Sequence, residues 1–227
     1  MKDIKLAVFD MAGTTVNEDN VVYKTVKAAL AKAGVEVSLN TVLEFGAGKE
    51  KFKAIADILE ETKVERTDEV DAKVVHADFK EMLKEAYASL EVSSYDGVEE
   101  LFKTMQSHGV KVVLNTGYDY KTAQSLLDKL GWKVGEQIDG LVTADDVEIG
   151  RPSSEMIDKA MKLFNIEDSQ QVLKAGDSQI DIEEGKNANC GITVGVLTGA
   201  QTREQLEKAN PTLILNTLDS LVGILFS

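Results

Sequence analysis

Val8-Phe9-Asp10-Met11-Ala12-Gly13-Thr14-Thr15-Val16 is an apolar strand that ends in a carboxylate and turns at once through Gly-Thr-Thr. A carboxylate at a strand's C-terminal tip, followed by a turn of free backbone N–H groups and hydroxyls, is a place to hold a phosphoryl group against a nucleophile. Position 12 is alanine, so no side chain there can protonate a leaving oxygen.

Short β-branched or aliphatic runs recur at Ile4–Phe9, Val110–Leu114, Leu141–Thr143, Val172–Ala175, Ile192–Val196 and Thr212–Leu215, each flanked by Gly, Asp or Asn. They read as buried parallel strands. Between them lie helical stripes: Val98, Leu101, Phe102 and Met105; Ala123, Leu126, Leu127 and Leu130; Met156, Ile157, Ala160, Met161 and Phe164. The alternation predicts a doubly wound, Rossmann-like α/β parallel sheet, in which ligands bind beyond the strands' C-terminal ends. Residues 17–92 break the alternation with helical patterns and no clear strand. One stripe runs Val22, Val26, Ala29, Leu30, Ala33 and closes at Gly34; a second is Phe52, Ile55, Ala56, Leu59; a third is Val75, Phe79, Met82, Leu83, Ala86, Leu90. The expected organisation is a core of residues 1–16 and 93–227 with an inserted α-helical cap of residues 17–92.

The chain has 227 residues, 43% of them hydrophobic, with two prolines, enough for a substantial core and an insertion. Its 25 Lys and Arg against 39 Asp and Glu give a net charge of −14, which repels nucleic acid and anionic lipid. Neither is expected as a partner. Cys190 is the single cysteine, so no internal disulfide forms, and the start Met-Lys-Asp-Ile-Lys lacks an apolar leader. With no apolar run near the roughly 18 residues of a membrane span, the expected compartment is the cytoplasm.

Three further strand ends carry suitable polar residues. Val113-Leu114-Asn115-Thr116-Gly117-Tyr118 offers the Thr116 hydroxyl and a backbone N–H to a phosphoryl oxygen, although Thr116 also suits a turn with no ligand. Glu148-Ile149-Gly150-Arg151-Pro152 puts a cation just before a helix that Pro152 would start, and a guanidinium fork matches phosphoryl oxygens. In Ala175-Gly176-Asp177-Ser178-Gln179-Ile180-Asp181, two carboxylates stand four residues apart; with Asp10 they make a Mg²⁺ site of hard oxygen ligands. Taken alone, that pair also reads as an N-cap and a solvated helix residue.

These four stretches, in this order and with the insertion after the first, resemble the haloacid dehalogenase superfamily over essentially the whole chain. Asp-x-Ala-Gly-Thr-Thr-Val, Thr-Gly-Tyr, Gly-Arg-Pro-x-x-x-Met and Gly-Asp-Ser-x-x-Asp-Ile-x-Glu-Gly-x-Asn-Ala look most like phosphonoacetaldehyde hydrolase and its phosphonatase-like relatives. The tail Gly195-Val196-Leu197-Thr198-Gly199-Ala200 looks closer to the latter. The resemblance implies Asp10 as the nucleophile that forms an aspartyl-phosphate, and Mg²⁺ on Asp10, Asp177 and the Ala12 carbonyl. Asp181 would help to hold the ion or its waters, and Thr116 and Arg151 would neutralise the transferring group. Gly13 and Thr14, Gly117 and Tyr118, and Gly48 are the remaining candidate substrate contacts. The resemblance also implies a homodimer through cap helices, although the acidic sequence offers no clear apolar patch for one.

Family members that hydrolyse phosphate esters usually carry the missing acid at position 12. Phosphonoacetaldehyde hydrolase instead sends the leaving electrons into an iminium on a cap lysine within a Met-Gly-x-x-Lys stretch. Here Phe45-Gly46-Ala47-Gly48-Lys49 aligns Lys49 with it. At the start of the second cap helix, with Lys53 one turn on, Lys49 would have its charge disfavoured. Two departures stand against this: Phe45 replaces methionine, and Phe52 replaces the histidine three residues after the lysine. Lys49 also reads as a solvated helix charge. Gly46-Ala47-Gly48-Lys49 is not a nucleotide P-loop, since Leu43 and Glu50 occupy required positions. His76 and His108 lack metal-ligand spacing, and Cys190 reads as a small core residue.

The function expected first is Mg²⁺-dependent hydrolysis of a small phosphonate, phosphonoacetaldehyde or similar. The alternatives are a phosphatase for a small phosphate monoester, resembling phosphoglycolate phosphatase, and a phospho-ligand sensor that has lost turnover.

Overall fold

The computed structural model describes residues 3–47, 49–62 and 70–226. In chain order the elements are β1 (Leu6–Asp10), β2 (Val16–Asn17), α1 (Val21–Lys32), α2 (Leu39–Gly46), α3 (Lys51–Thr62), α4 (Ala72–Ser89), β3 (Ser93–Ser94), α5 (Val98–Ser107), β4 (Lys111–Asn115), α6 (Tyr120–Leu130), β5 (Gly140–Val142), α7 (Glu155–Leu163), β6 (Val172–Gly176), α8 (Gln179–Asn187), β7 (Ile192–Val196), α9 (Arg203–Lys208), β8 (Leu213–Leu215) and α10 (Leu221–Leu225). The chain divides into two compact units, Met1–Asn17 with Val92–Ser227, and Glu18–Glu91.

In the first unit every residue of β1 and of β6 is buried, the near-continuous pattern of parallel strands covered on both faces. Six strands form one sheet in the order β5-β4-β1-β6-β7-β8, and all pairings are parallel. The strand order reverses at β1: the chain builds outward through β4 and β5, then crosses to β6 and continues the other way. That reversal opens a crevice beyond the C-terminal ends of the central strands, where such sheets bind ligands. Asp10 and Asn115 are register partners there, and Phe9 pairs with Ala175 just before Gly176 and Asp177.

Helix α7 is held on the sheet by a core of Leu6, Val8, Val113, Val142, Met156, Ile157, Ala160 and Val172. Each such side chain contributes about 1.5–3 kcal/mol by leaving water. Cys190 packs against the same cluster, and burial pushes its thiol up to about 12, as suits a core residue. Trp132 is buried edge-on to Phe102 and donates its ring N–H to Glu99. A short antiparallel pair, β2 with β3, joins the two points where the chain leaves and re-enters this unit. Two-residue strands have too little periodicity to be read from sequence.

The second unit contains α1 to α4. Val22, Thr25, Val26, Ala29 and Leu30 form the buried stripe of α1, and Gly34 beyond its end takes φ +84°, the left-handed conformation that closes a helix. Helix α2, which the hydrophobic pattern did not single out, is capped by the Ser38 hydroxyl accepting the Thr41 N–H. On α3 the buried residues are Ala54, Ile55, Ile58 and Leu59, so the stripe is turned from the expected Phe52, Ile55, Ala56, Leu59. Ala54 and Ile58 face Gly46 of α2. Phe52 is left partly exposed, edge-on to His76. Only Val75 and Phe79 are fully buried on α4.

Pro152 does not start a helix. It lies in a turn, and α7 begins three residues later at Glu155, whose carboxylate accepts the N–H groups of Glu148 and Ile149 and ties the turn to the helix. No helix among the described residues is long and apolar enough to cross a membrane.

Candidate active site

Four of the expected acids and bases meet at the C-terminal edge of the sheet. Asp10 ends β1, Asp177 follows β6, Asp181 lies in the first turn of α8, and all three are buried with carboxylate oxygens within 4.8 Å of one another. Arg151, in the turn before α7, places Nη1 2.7 Å from Asp10 Oδ1 and 3.0 Å from Asp181 Oδ1. Three residues to which the sequence assigned no role complete the cluster. They are Asn115 at the tip of β4, Lys174 within β6, and Glu184 on α8, all with 0% exposure. A signal for two of them existed: Lys174 is the lone charge in an apolar run, and Glu184 stands one turn after Asp181.

The electrostatics follow from burial and neighbours. Burial raises Asp10 above the ordinary carboxylate range despite the lowering influence of Arg151. Burial also pushes Asp177 well up, reinforced by the charges of Asp10 and Asp181. Asp181 suffers the same burial, but Lys174 and Arg151 outweigh it and hold its carboxyl below the usual range. For Arg151 the desolvation is more than offset by Asp10, Asp181 and Glu184, which lock in its charge.

These residues fit a divalent cation. Asp10, Asp177, Asp181 and Glu184 carry four formal negative charges against two positive ones on Arg151 and Lys174, leaving an excess of two in a buried pocket of hard oxygen donors. Among the described residues Asp177 forms no ion pair and takes backbone donors, the Ala200 N–H among them. Both oxygens of Asp181 are engaged, one by Arg151 and Lys174 and the other by Ser178 in the capping box of α8. Asp10 and Asp177 are therefore the acids best placed to bind an ion directly, with Asp181 behind them.

The turn after β1 differs from the expectation of free N–H groups. Those of Gly13, Thr14 and Thr15 are donated to the carbonyls of Val16 and Met11. The tight turn that brings Val16 back beside Ala12 consumes them. The Thr14 hydroxyl is buried and has no hydrogen-bond partner among the described residues. Gly13 takes φ +78°, and a Cβ on it would stand 2.5 Å from Asp177 Oδ2, so the turn presses against that acid. Behind it, the loop after β7 braces the site: Thr198 donates to the Gly13 carbonyl, and Tyr95 donates to the Thr198 carbonyl.

Thr116 is buried, and its hydroxyl accepts the Tyr118 N–H, so its turn role is realised while its proton stays available to donate. Gly117 has open space where a side chain would stand, and Tyr118 is buried. Ala12 is half-buried. In the helical unit Lys49 precedes α3 by two residues, and α3 is the third helix of that unit rather than the second. Its Nζ lies 2.5 Å from Asp57 Oδ2, and Lys53 holds the other oxygen at 3.1 Å. Burial opposes ionisation of Asp57, but the two lysines hold its carboxyl below the usual range. The like charge of Lys53 is thus offset by an acid one turn further along the helix. Gly48 lies outside the described residues. His76 sits between Phe52 and Phe79, and His108 stacks on Phe226.

Comparison with known proteins agrees with this geometry. The phosphonoacetaldehyde hydrolase of Latilactobacillus sakei is 28% identical over 207 residues, spanning 87% of this chain and 77% of its own. A phosphonoacetaldehyde hydrolase like protein from Oleispira antarctica shares the fold with a TM-score of 0.83 at 21% identity, over 98% of this chain and 91% of that one. A predicted phosphoglycolate phosphatase from Haemophilus somnus does so with a TM-score of 0.78 at 19% identity, over 99% of each chain. The family model of haloacid dehalogenase-like hydrolases matches residues 4–189. With most of its length covered, and its acids gathered where a doubly wound sheet binds ligands, the chain belongs to the haloacid dehalogenase-like hydrolases.

Proposed function

We propose that the protein is a magnesium-dependent hydrolase of a small phosphonate bearing an aldehyde beside the P–C carbon. The observation that carries this reading is Ala12, in a site otherwise furnished with a nucleophile, a guanidinium and metal-binding acids. An alkoxide leaving group has no acid at position 12 to protonate it, whereas a carbon leaving group needs only an electron sink. The curated relative from Latilactobacillus sakei is named for such a reaction.

In this mechanism the substrate aldehyde condenses with the Lys49 amine, losing water to form an iminium. Asp10 attacks phosphorus and the P–C bond breaks, its electron pair passing into the iminium to give an enamine. The enamine takes a proton and is hydrolysed to free aldehyde and free lysine; water then attacks phosphorus of the aspartyl-phosphate, releasing phosphate and Asp10. Arg151 and the Thr116 and Thr14 hydroxyls hold the phosphoryl oxygens. Bound by Asp10, Asp177 and the Ala12 carbonyl, Mg²⁺ would supply the two positive charges that the cluster lacks.

A second reading, a phosphatase for a small monoester whose leaving group needs little protonation, is favoured by the Lys49–Asp57 ion pair and by Phe52. An amine that attacks a carbonyl must first shed its proton and its partner. The predicted phosphoglycolate phosphatase of the same fold accords with it. Phosphate release with Mg²⁺ from phosphonoacetaldehyde, beside a panel of monoesters including phosphoglycolate, decides between them. The phosphonate reading expects turnover of the aldehyde that falls by at least about 10³-fold in Lys49→Ala. Turnover of monoesters alone, unchanged in that variant, would overturn it.

A further inference from the structure

Lys174 lies within β6 with 0% exposure, and its Nζ reaches three atoms: Asn115 Oδ1 at 2.7 Å, Asp181 Oδ1 at 3.1 Å and Glu184 Oε2 at 3.1 Å. The first is a hydrogen bond, and the two carboxylate oxygens lie within ion-pair distance of the ammonium. The same three atoms receive Arg151. Its Nη2 donates to Asn115 Oδ1 at 3.1 Å, its Nη1 lies 3.0 Å from Asp181 Oδ1, and its Nε lies 3.2 Å from Glu184 Oε2. Each guanidinium nitrogen therefore meets an acceptor that the ammonium also holds.

The root of the lysine is fixed as well. A Cβ at Gly185 would stand 2.9 Å from Lys174 Cβ and 3.1 Å from its Cγ, so α8 lies directly against the lysine stem. Asp181 and Glu184, one turn apart on that helix, reach Lys174 from the same side. In formal charge Lys174 and Arg151 balance Asp181 and Glu184, which leaves Asp10 and Asp177 as the uncompensated pair.

We propose that Lys174 is the positioning residue of this site: it fixes the three acceptors that set the plane of the Arg151 guanidinium, and so holds Nη1 beside Asp10, where a phosphoryl group would be transferred. The inference rests on the reading of Arg151 as the cation that receives the phosphoryl oxygens. A guanidinium with the same charge but a loose plane would meet those oxygens in fewer of its orientations.

The test is binding of orthovanadate in the presence of Mg²⁺, followed by titration calorimetry and requiring no turnover. Four proteins are compared: wild type, Arg151→Ala, the charge-balanced pair Lys174→Met with Glu184→Gln, and the combination of all three. Circular dichroism establishes that each is folded. Arg151→Ala and the balanced pair are each expected to weaken vanadate by about 10- to 100-fold, and the combination to bind no more than about twofold worse than Arg151→Ala alone, since both act through one group. Asn115→Ala removes an acceptor shared by Nζ and Nη2 without touching a charge. It is expected to weaken vanadate too, again with no further loss on Arg151→Ala, and it carries the test if the balanced pair does not fold. Full additivity, as a merely structural role would give, or wild-type affinity in both probes, overturns the proposal and leaves the reading of Arg151 standing. Wild-type affinity in Arg151→Ala overturns that reading and the proposal with it.

Discussion

At the scale of the residue, Asp177 shows how the site stores its charge. Burial and the neighbouring carboxylates raise its folded pKa, whereas in the unfolded chain it ionises near the ordinary value of about 3.9. The folded, metal-free protein then binds the proton more tightly than the unfolded chain does, so this group's contribution to stability falls as pH rises from about 4 through the raised folded value. Asp181 has the opposite sign: its lowered carboxyl contributes stability above the unfolded pKa, lost as pH falls through the folded one. In EDTA, Asp177→Asn is expected to melt about 2–4 °C higher than wild type at pH 7, with the gap closing toward pH 4. A variant that melts lower at pH 7 would show that the carboxylate is not a burden there. The same substitution should abolish any rise in melting temperature on adding Mg²⁺.

At the scale of the element, the contact between β6 and α8 carries the site. Gly185 lies against the sheet, and a Cβ there would stand 2.8 Å from Thr193 Cγ2 as well as 2.9 Å from Lys174 Cβ. Neither neighbour is the free end of a long side chain, so the helix itself must shift. Gly185→Ala is expected to cost about 1–3 kcal/mol, read as a lower melting temperature, and to reduce turnover beyond what that loss explains because Asp181 and Glu184 move with α8. Full activity with a lowered melting temperature would separate packing from positioning.

At the scale of the whole molecule, a chain of net charge −14 places four acids and two cations at one sheet edge. Such an excess is costly unless protons or a cation offset it. A ligand at 100 times its dissociation constant stabilises by about 2.7 kcal/mol, which for a protein of this size corresponds to about 5–10 °C. Saturating Mg²⁺ is therefore expected to raise the melting temperature by that much over EDTA at pH 7. The rise should be unaffected by Lys49→Ala, because the ion is held by Asp10 and Asp177 whereas Lys49 is paired with Asp57. No response to Mg²⁺ or Mn²⁺ would remove the metal from the mechanism.

The sequence by itself determined the parallel sheet and marked Asp10 and Asp177 at strand ends, because buried parallel strands are continuous apolar runs and their polar ends are conspicuous against them. It also singled out Arg151 and Asp181, although Arg151 follows no strand directly but stands in the turn before α7, and Asp181 lies in α8. Family resemblance then supplied what each could do. Only the tertiary structure decided which groups face each other. Lys174 shares three acceptor atoms with Arg151, on Asn115, Asp181 and Glu184, although these residues come from β4, β6, α8 and the turn before α7, a coincidence that no linear spacing encodes. The turn donors of Gly13, Thr14 and Thr15 were spent on closing the turn itself. Lys49 found its counter-ion a further two helical turns along α3, and charge pairing of that kind depends on where side chains point after folding.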